Sequence, residues 1–152
     1  MERFSYVLLS FDGRIKRRTW LVYAAAMIAA EYALASLLRW VFHIPPAEAA
    51  HSARFLDDGA TILAGLIFLW PSVALDVKRW HDIGKSGWYT LIAYGPIILV
   101  YALEAFGFAG QTAVPDPLAS ATLSILGLIF LVYLIILAAR KSWPLANKYG
   151  PK

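Results

Sequence analysis

Apolar residues gather into four long blocks along this chain, and short polar segments separate the blocks. The blocks run from about 20 to 42, 60 to 77, 88 to 106 and 118 to 139. At 1.5 Å per residue, each block forms a helix of roughly 27–35 Å, which is enough to cross a hydrocarbon core of about 30 Å. Because the blocks lack the polar face that helices of soluble proteins carry, the pattern predicts four membrane spans.

Large apolar residues also recur with helical spacing ahead of the first block. Phe4, Val7, Leu8 and Phe11 fall at i, i+3, i+4 and i+7, so they share one face of a short helix. This helix can lie flat in the inner leaflet, or the segment can be an irregular lead-in that packs on the bundle. The sequence thus predicts an all-α fold: one membrane domain over 1–152, an integral membrane four-helix bundle with a short N-terminal interfacial helix.

Composition agrees with a lipid-facing chain and limits its chemistry. Hydrophobic residues make up 60 % of the 152 residues and charged residues only 16 %, with a mean hydropathy of +0.60. Soluble domains have about 45–50 % apolar and about 25 % charged residues. The net charge of +4 lies at the ends of the apolar blocks, beside lipid headgroups, so no nucleic-acid partner is expected. Without cysteine, and with three scattered histidines, the chain predicts no metal site, no cofactor and no catalytic residues.

Basic residues are distributed unevenly between the two sides of the predicted bundle. Most of the 14 Lys and Arg residues lie before the first block, between the second and third, or after the fourth, whereas the other two connections are more acidic. The positive-inside rule therefore predicts a cytoplasmic location for both termini and for the middle connection. The basic residues on this side are Arg3, Arg14, Lys16, Arg17, Arg18, Lys78, Arg79, Lys85, Arg140, Lys141, Lys148 and Lys152.

The connection between the second and third blocks contains the densest group of polar residues. Its sequence is Lys78-Arg79-Trp80-His81-Asp82-Ile83-Gly84-Lys85-Ser86-Gly87-Trp88. The cations, the histidine and the amides of its glycine turns can hold a phosphate or an anionic headgroup. In that case Asp82 orients His81 through a hydrogen bond and raises its affinity for a proton. Alternatively, the segment is a tight helical hairpin whose basic residues only fix the topology.

Three short motifs resemble the signatures of a known family. They are Phe11-Asp12-Gly13-Arg14-Ile15-x-Arg17, Arg79-x-His81-Asp82-x-Gly84-Lys85-Ser86-Gly87-Trp88 and Asn147-Lys148-Tyr149-Gly150-Pro151. Their order and spacing are similar to those of the bacterial inner-membrane family catalogued as domain of unknown function 805, over nearly the whole chain. The resemblance implies a protein of the bacterial inner membrane and supplies no reaction.

All three motifs fall on the predicted cytoplasmic side, so their polar residues can converge at one membrane–water boundary. Such a cluster fits an anionic lipid headgroup or a protein partner. It can equally be a self-satisfied network in which Asp82 pairs with Arg14 or Arg79 and Asn147 caps a helix end. The candidate ligand-binding residues are Arg14, Arg17, Arg79, His81, Asp82, Lys85, Ser86, Asn147 and Lys148.

Two acidic residues lie within the apolar blocks. Glu31 is near the middle of the first block, where a charged side chain costs roughly 2.5–3.5 kcal/mol on insertion scales. We expect its carboxyl to face the bundle, where it either forms hydrogen bonds with a neighbouring helix, relays protons or coordinates a cation. Asp76, near the cytoplasmic end of the second block, is at the i, i+3 spacing from Arg79 that suits a local ion pair.

Three functions are compatible with these residues. The first is a non-enzymatic membrane component whose cytoplasmic face binds an anionic lipid headgroup or a protein partner. The second is a small oligomeric transporter or proton-coupled channel that uses Glu31. The third is a lipid-headgroup enzyme with His81 and Asp82 as its general base. We favour the first and do not favour an enzyme. Alanines at four-residue spacing between Ala25 and Ala33 suit close packing within the bundle or a homo-oligomer.

Overall fold

The structure, a computed structural model, describes residues 4–43, 59–105 and 117–150. The described residues are helical and contain no β-strand, only an isolated bridge between Asn147 and Gly150, so the all-α prediction is confirmed. The two predicted outer connections lie outside them. The helices are α1 (Phe4–Leu9), α2 (Arg17–Phe42), α3 (Gly59–Asp82), α4 (Leu91–Ala105) and α5 (Pro117–Ala139), with a 3₁₀ turn at Gly87–Thr90.

Two helices of the described part, α2 and α3, are long and apolar enough to cross a membrane by length and composition. Shorter apolar helical stretches run over Gly87–Leu99 and Ser124–Ala139. Helical structure therefore coincides with all four predicted blocks. That all four cross a membrane stays a prediction.

Helix α3 extends beyond the predicted block, which ends at 77, and its last turn carries the residues from Lys78 to Asp82. Their charge predicts a connection, but they continue the helix because their side chains find partners in neighbouring elements. A Schellman motif then ends α3. Gly84 adopts the left-handed conformation at φ +83°, and the Lys85 N–H donates to the Trp80 carbonyl at 2.9 Å.

The buried core lies where α3 meets the start of α2, the end of α5 and the N-terminal helix α1. Because Val7 and Leu8 belong to it, the N-terminal segment is a helix whose apolar face contacts protein. This arrangement combines the two predicted alternatives, a helix and packing on the bundle. The core includes Val7, Leu8, Trp20, Leu75, Trp80, Tyr133 and Leu137.

The outer faces of the long helices are apolar and exposed. Val22 and Ile28 on α2 are 68 % and 64 % exposed, and Leu66 on α3 and Leu128 on α5 are each 60 % exposed. Soluble monomers rarely expose contiguous apolar patches larger than a few hundred Å². The surface of the described helices is therefore suited to an apolar surrounding.

The alanines at four-residue spacing between Ala25 and Ala33 are also exposed, so the prediction that they pack within the bundle is wrong. The buried side of α2 instead carries Trp20, Met27 and Ala35. These three residues follow the helical period and include two large side chains, so they direct the other face of α2, which bears the small residues, outward.

Candidate functional site

A buried carboxylate at the end of α3 joins the first and second sequence motifs. Asp82 accepts hydrogen bonds from Arg14 Nη2, at 3.2 Å, and from Arg79 Nη1. The side chains of Arg14, Arg79 and Asp82 are 4 %, 0 % and 3 % exposed, respectively. Buried charges are tolerated only when they are paired and hydrogen-bonded, and here one carboxylate is shared by two guanidinium groups.

The remaining donors of Arg79 reach the end of α5. Its Nε donates to the Leu137 carbonyl at 3.0 Å, and its Nη2 donates to the Arg140 carbonyl. The last carbonyls of a helix lack partners within that helix, and they carry a partial negative charge. Arg79 therefore caps α5 while it pairs with Asp82, which explains how a fully buried arginine is accommodated.

Arg14 fixes the segment that follows α5. Its guanidinium donates to the carbonyls of Trp143 and Leu145, each at 2.9 Å. In the reverse direction, the Trp143 N–H donates to the Asp82 carbonyl at 2.7 Å. The residues after α5 thus lie against the end of α3 and bring the third motif to the other two.

His81 occupies a different position from the one predicted. Its Nδ1 is 3.2 Å from the Gly13 carbonyl, its ring stacks on Tyr149 with centroids 3.7 Å apart, and its own carbonyl accepts a hydrogen bond from Asn147 Nδ2 at 2.9 Å. Because Asp82 pairs with arginines, the prediction that it orients His81 is wrong. The enzyme hypothesis thereby loses the His81–Asp82 pair that it requires.

The surroundings of His81 affect its protonation. The residue follows the predicted second span, which ends at 77. Burial lowers the pKa of the imidazole below its ordinary value of 6.5, although the Gly13 carbonyl acts in the opposite direction. The neutral ring with a proton on Nδ1 fits the contact, since a carbonyl can only accept. The ring therefore donates a hydrogen bond from Nδ1 to the Gly13 carbonyl. We call Arg14, Arg79, His81, Asp82 and Asn147 the clamp.

Lys78 joins this end of the molecule to α1. It is 1 % exposed, and its Nζ donates to the carbonyls of Tyr6 and Val7, the latter at 2.6 Å. The sequence indicated only a charge that fixes topology. The distribution of charged residues in the sequence could not reveal these hydrogen bonds of Lys78, because the acceptors are backbone carbonyls more than seventy residues away along the chain.

The glycine turns of the second motif have structural uses. A Cβ on Gly87 would stand 2.6 Å from Val77 Cγ1, so this position requires glycine for close packing on α3. The Ser86 hydroxyl accepts a hydrogen bond from the Trp88 N–H and so caps the 3₁₀ turn. Lys85 is exposed and lies outside the clamp. Among the predicted residues, Arg17 and Lys148 are also exposed.

A groove of about 1370 Å³ opens beside the clamp. Its acidic residues are Asp12 and Asp82, and the latter is already paired with two arginines. The Nε of Arg14 is buried and has no hydrogen-bond partner among the described residues. We call this the basic groove, and its basic residues are Arg14, Lys16, Arg17, Arg18 and Lys141.

A second buried carboxylate lies farther from the end of α3. Asp76 accepts hydrogen bonds from Trp20 Nε1 at 2.8 Å and from the hydroxyls of Tyr94 and Tyr133 at 3.2 and 3.1 Å. The predicted ion pair with Arg79 is therefore wrong. The i, i+3 spacing was correct for a surface pair, but the two side chains leave α3 toward different neighbours.

Glu31 is half-buried on α2 and lines a cavity of about 600 Å³ together with Asp76. Its carboxyl lies near Gly65 of α3, where an added Cβ would stand 3.5 Å from Oε1. The predicted hydrogen bonds from a neighbouring helix are not found among the described residues. Proton relay through Glu31 stays a prediction. No group of three or more His, Asp or Glu residues suited to a metal ion occurs in the described part of the chain.

The comparisons with known proteins agree with the three motifs. The chain matches the family model described as "Protein of unknown function (DUF805)" over residues 8–151. "Uncharacterized protein YiiR" of Escherichia coli (strain K12) is 32 % identical over 80 residues, 53 % of this chain and 46 % of that protein, and its counterpart in Escherichia coli O157:H7 matches equally. The match thus spans about half the length of these curated relatives. No solved structure matches the chain. Because the family model matches nearly the whole chain, the chain belongs to the DUF805 family of proteins of unknown function.

Proposed function

We propose that this chain is a multi-pass protein of the bacterial inner membrane, with four spanning helices and both termini in the cytoplasm. The length and apolarity of α2 and α3 and the exposed apolar faces of all the long helices support it. The clamp supports the even number of spans, since it joins the start of α2, the end of α3 and the end of α5 on one side. The concentration of basic residues on that side fits the cytoplasmic leaflet.

Reporter fusions test the topology. Fusions after Lys85 and at Lys152 should be active as cytoplasmic reporters, and a fusion near Asp58 should be active as a periplasmic reporter. A periplasmic signal from the Lys152 fusion would require an odd number of spans and would contradict the four-span bundle.

We further propose that the protein binds the phosphate of an anionic lipid headgroup in the basic groove. The observation that carries this proposal is the charge of the groove: five basic residues line it, and one of its two acidic residues, Asp82, is already paired with arginines. Phosphate oxygens form charge-assisted hydrogen bonds with arginine and lysine side chains such as those that line the groove.

This proposal differs from the predicted binding face in its residues. Four of the predicted binding residues form hydrogen bonds within the protein, so we assign them to the structure of the site rather than to ligand binding. They are Arg79, His81, Asp82 and Asn147. The exposed Arg17, predicted to bind, lines the groove, as does Lys141.

A pair of double variants with equal charge change tests the groove. Arg17→Gln with Lys141→Gln removes two groove charges, whereas Lys85→Gln with Lys148→Gln removes two exposed charges that do not line it. Phosphatidylglycerol retention, measured by native mass spectrometry from nanodiscs, should fall at least about tenfold in the groove variant, because a hydrogen bond to a charged group contributes about 1.5–3 kcal/mol. Retention by the control variant should change little.

Competition distinguishes the source of the phosphate. Excess inorganic phosphate should leave retention intact if the acyl chains contribute, and it should displace the lipid if the groove recognises free phosphate. Equal losses in the two double variants would mean general attraction to the membrane surface and would overturn the groove. Normal lipid retention together with loss of a co-purifying protein from the groove variant would favour a protein partner instead.

A further inference from the structure

The cavity beside Glu31 and Asp76 is separate from the basic groove and has the opposite charge. It lies among α2, α3, α4 and α5, within the segments that we propose to span the membrane, and its volume of about 600 Å³ is in the range of sites for small organic molecules. Its walls are mainly aliphatic. The aromatic residues that line it are Trp20, Phe68, Tyr94 and Phe130.

The hydrogen bonds of Asp76 favour a carboxylate anion. The indole of Trp20 can only donate. Tyr133 accepts a hydrogen bond from Trp80 Nε1 at 3.2 Å, so its own O–H is directed to Asp76 Oδ2. These contacts stabilise negative charge without a cation, and no cationic side chain is among the hydrogen-bond partners of Asp76 in the described residues.

Glu31 adds a second carboxyl to the same cavity, and this one is not satisfied. No donor from the described residues forms a hydrogen bond with it, and its side chain is only half-buried, so it remains accessible from the cavity. A carboxyl without a partner is costly in hydrocarbon. An apolar pocket with one anion held in its wall and a second carboxyl open to it is complementary to positive charge on an apolar body.

We infer that this cavity binds a lipophilic organic cation, with Glu31 as its charge partner and the aromatic residues against its apolar groups. Aromatic faces attract organic cations by cation–π interaction, and more strongly when water is excluded. The inference rests on the proposed spans but is independent of lipid binding in the basic groove. Either site can fail in its own test without affecting the other.

Two probes of the same shape and opposite charge test the inference on the unmodified protein. Tetraphenylphosphonium and tetraphenylborate are added to the protein in nanodiscs of uncharged phosphatidylcholine, and uptake by empty nanodiscs is subtracted. The cation should bind saturably, with about one molecule for each chain, and the anion should not. Equal saturable uptake of the two ions, or no saturable uptake of the cation, would overturn the inference.

Variants then assign the site. Glu31→Gln keeps the shape of the side chain and removes its charge, so tetraphenylphosphonium affinity should fall by about tenfold or more, as expected for losing one partner of a desolvated charge pair. Tyr32→Phe, at the exposed neighbouring position outside the cavity, is the control and should bind normally. If cation binding were unchanged in both Glu31→Gln and Asp76→Asn, the cavity would be the wrong site.

Discussion

Two aspartates on α3, less than two helical turns apart, are both buried but have opposite kinds of partners. Asp82 is 2 % exposed and pairs with two arginines, and Asp76 is 4 % exposed and is bound by one tryptophan and two tyrosines. Both carboxylates are satisfied. The first belongs to a network of full charges, whereas the second is held by neutral donors.

The difference follows from what surrounds each position. At the end of α3, the arginines beside Asp82 also donate to the last carbonyls of α5 and to carbonyls of the following segment, so their terminal nitrogens have acceptors, and Arg14 Nε is the exception among the described residues. At Asp76, about one and a half turns before the end of α3, the backbone carbonyls already accept hydrogen bonds within their own helices. A cation there would bring donors that nothing could accept, and the indole and phenol groups supply one donor each. The depth along the helix therefore decides between charged and neutral partners.

Removal of the charge on Asp82 should give the largest effect. Asp82→Asn leaves two buried arginines without a counter-charge, and breaking a buried charge network in this way costs about 3–5 kcal/mol. Urea unfolding in detergent micelles, followed by tryptophan fluorescence, measures the loss. Asp12→Asn removes the same charge from an exposed side chain beside the same groove and is the matched control. Equal losses in the two variants would mean that Asp82 is not part of a cooperative network.

Asp76→Asn should have a smaller effect, since no cation is left unpaired. The amide keeps one acceptor oxygen but directs an NH₂ group toward donors, so at least one hydrogen bond is lost, at a cost of about 1–3 kcal/mol for an unsatisfied buried group. The same unfolding experiment measures it. A loss as large as that of Asp82→Asn would mean that the neutral cluster is as sensitive to charge as the clamp.

Substitution of the two tyrosines around Asp76 should destabilise the fold to different extents, because the tyrosines form different numbers of hydrogen bonds. Tyr133 accepts from Trp80 and donates to Asp76, whereas Tyr94 donates to Asp76 alone. Each net hydrogen bond is worth about 0.5–1.5 kcal/mol, so Tyr133→Phe should destabilise the fold more than Tyr94→Phe. The reverse order would contradict the relay from Trp80 through Tyr133 to Asp76.

The smallest effect concerns His81 and depends on pH. Burial lowers the pKa of His81 in the fold, so the unfolded chain takes up a proton at higher pH than the folded one. The contribution to stability is present above the ordinary pKa of 6.5 and is lost as the pH falls below 6.5 and through the lower pKa of the folded state. His81→Phe keeps a ring on Tyr149 and should flatten this part of the pH profile. An unchanged profile in the variant would assign the pH dependence to another group.

The sequence predicts the helices well because long apolar blocks can be recognised from their length and apolarity alone. The polar contacts are different. Arg79 could be recognised as part of a motif, but its acceptors at Leu137 and Arg140 are backbone carbonyls, which every residue has. The partner of Asp76 was predicted wrongly because Arg79 lies only three residues away along the helix. Its actual partners belong to other helices, and their positions depend on how those helices pack. The sequence could predict that the three motifs lie close together, but the partner of each polar group became known only from the packing of the helices.

The clamp also has a consequence for the order in which the protein is made. Arg14 is translated early, yet two of its acceptors, the carbonyls of Trp143 and Leu145, are translated about 130 residues later. Asp82, the ion-pair partner of Arg14, is translated between these two stages together with Arg79. A nascent chain that stops soon after α5 begins therefore contains both arginines and Asp82, but it lacks the later carbonyl acceptors of the arginines, which belong to Leu137, Arg140, Trp143 and Leu145. Closure of the clamp is thus a late event in synthesis, because it requires the residues from Arg140 to Asn147.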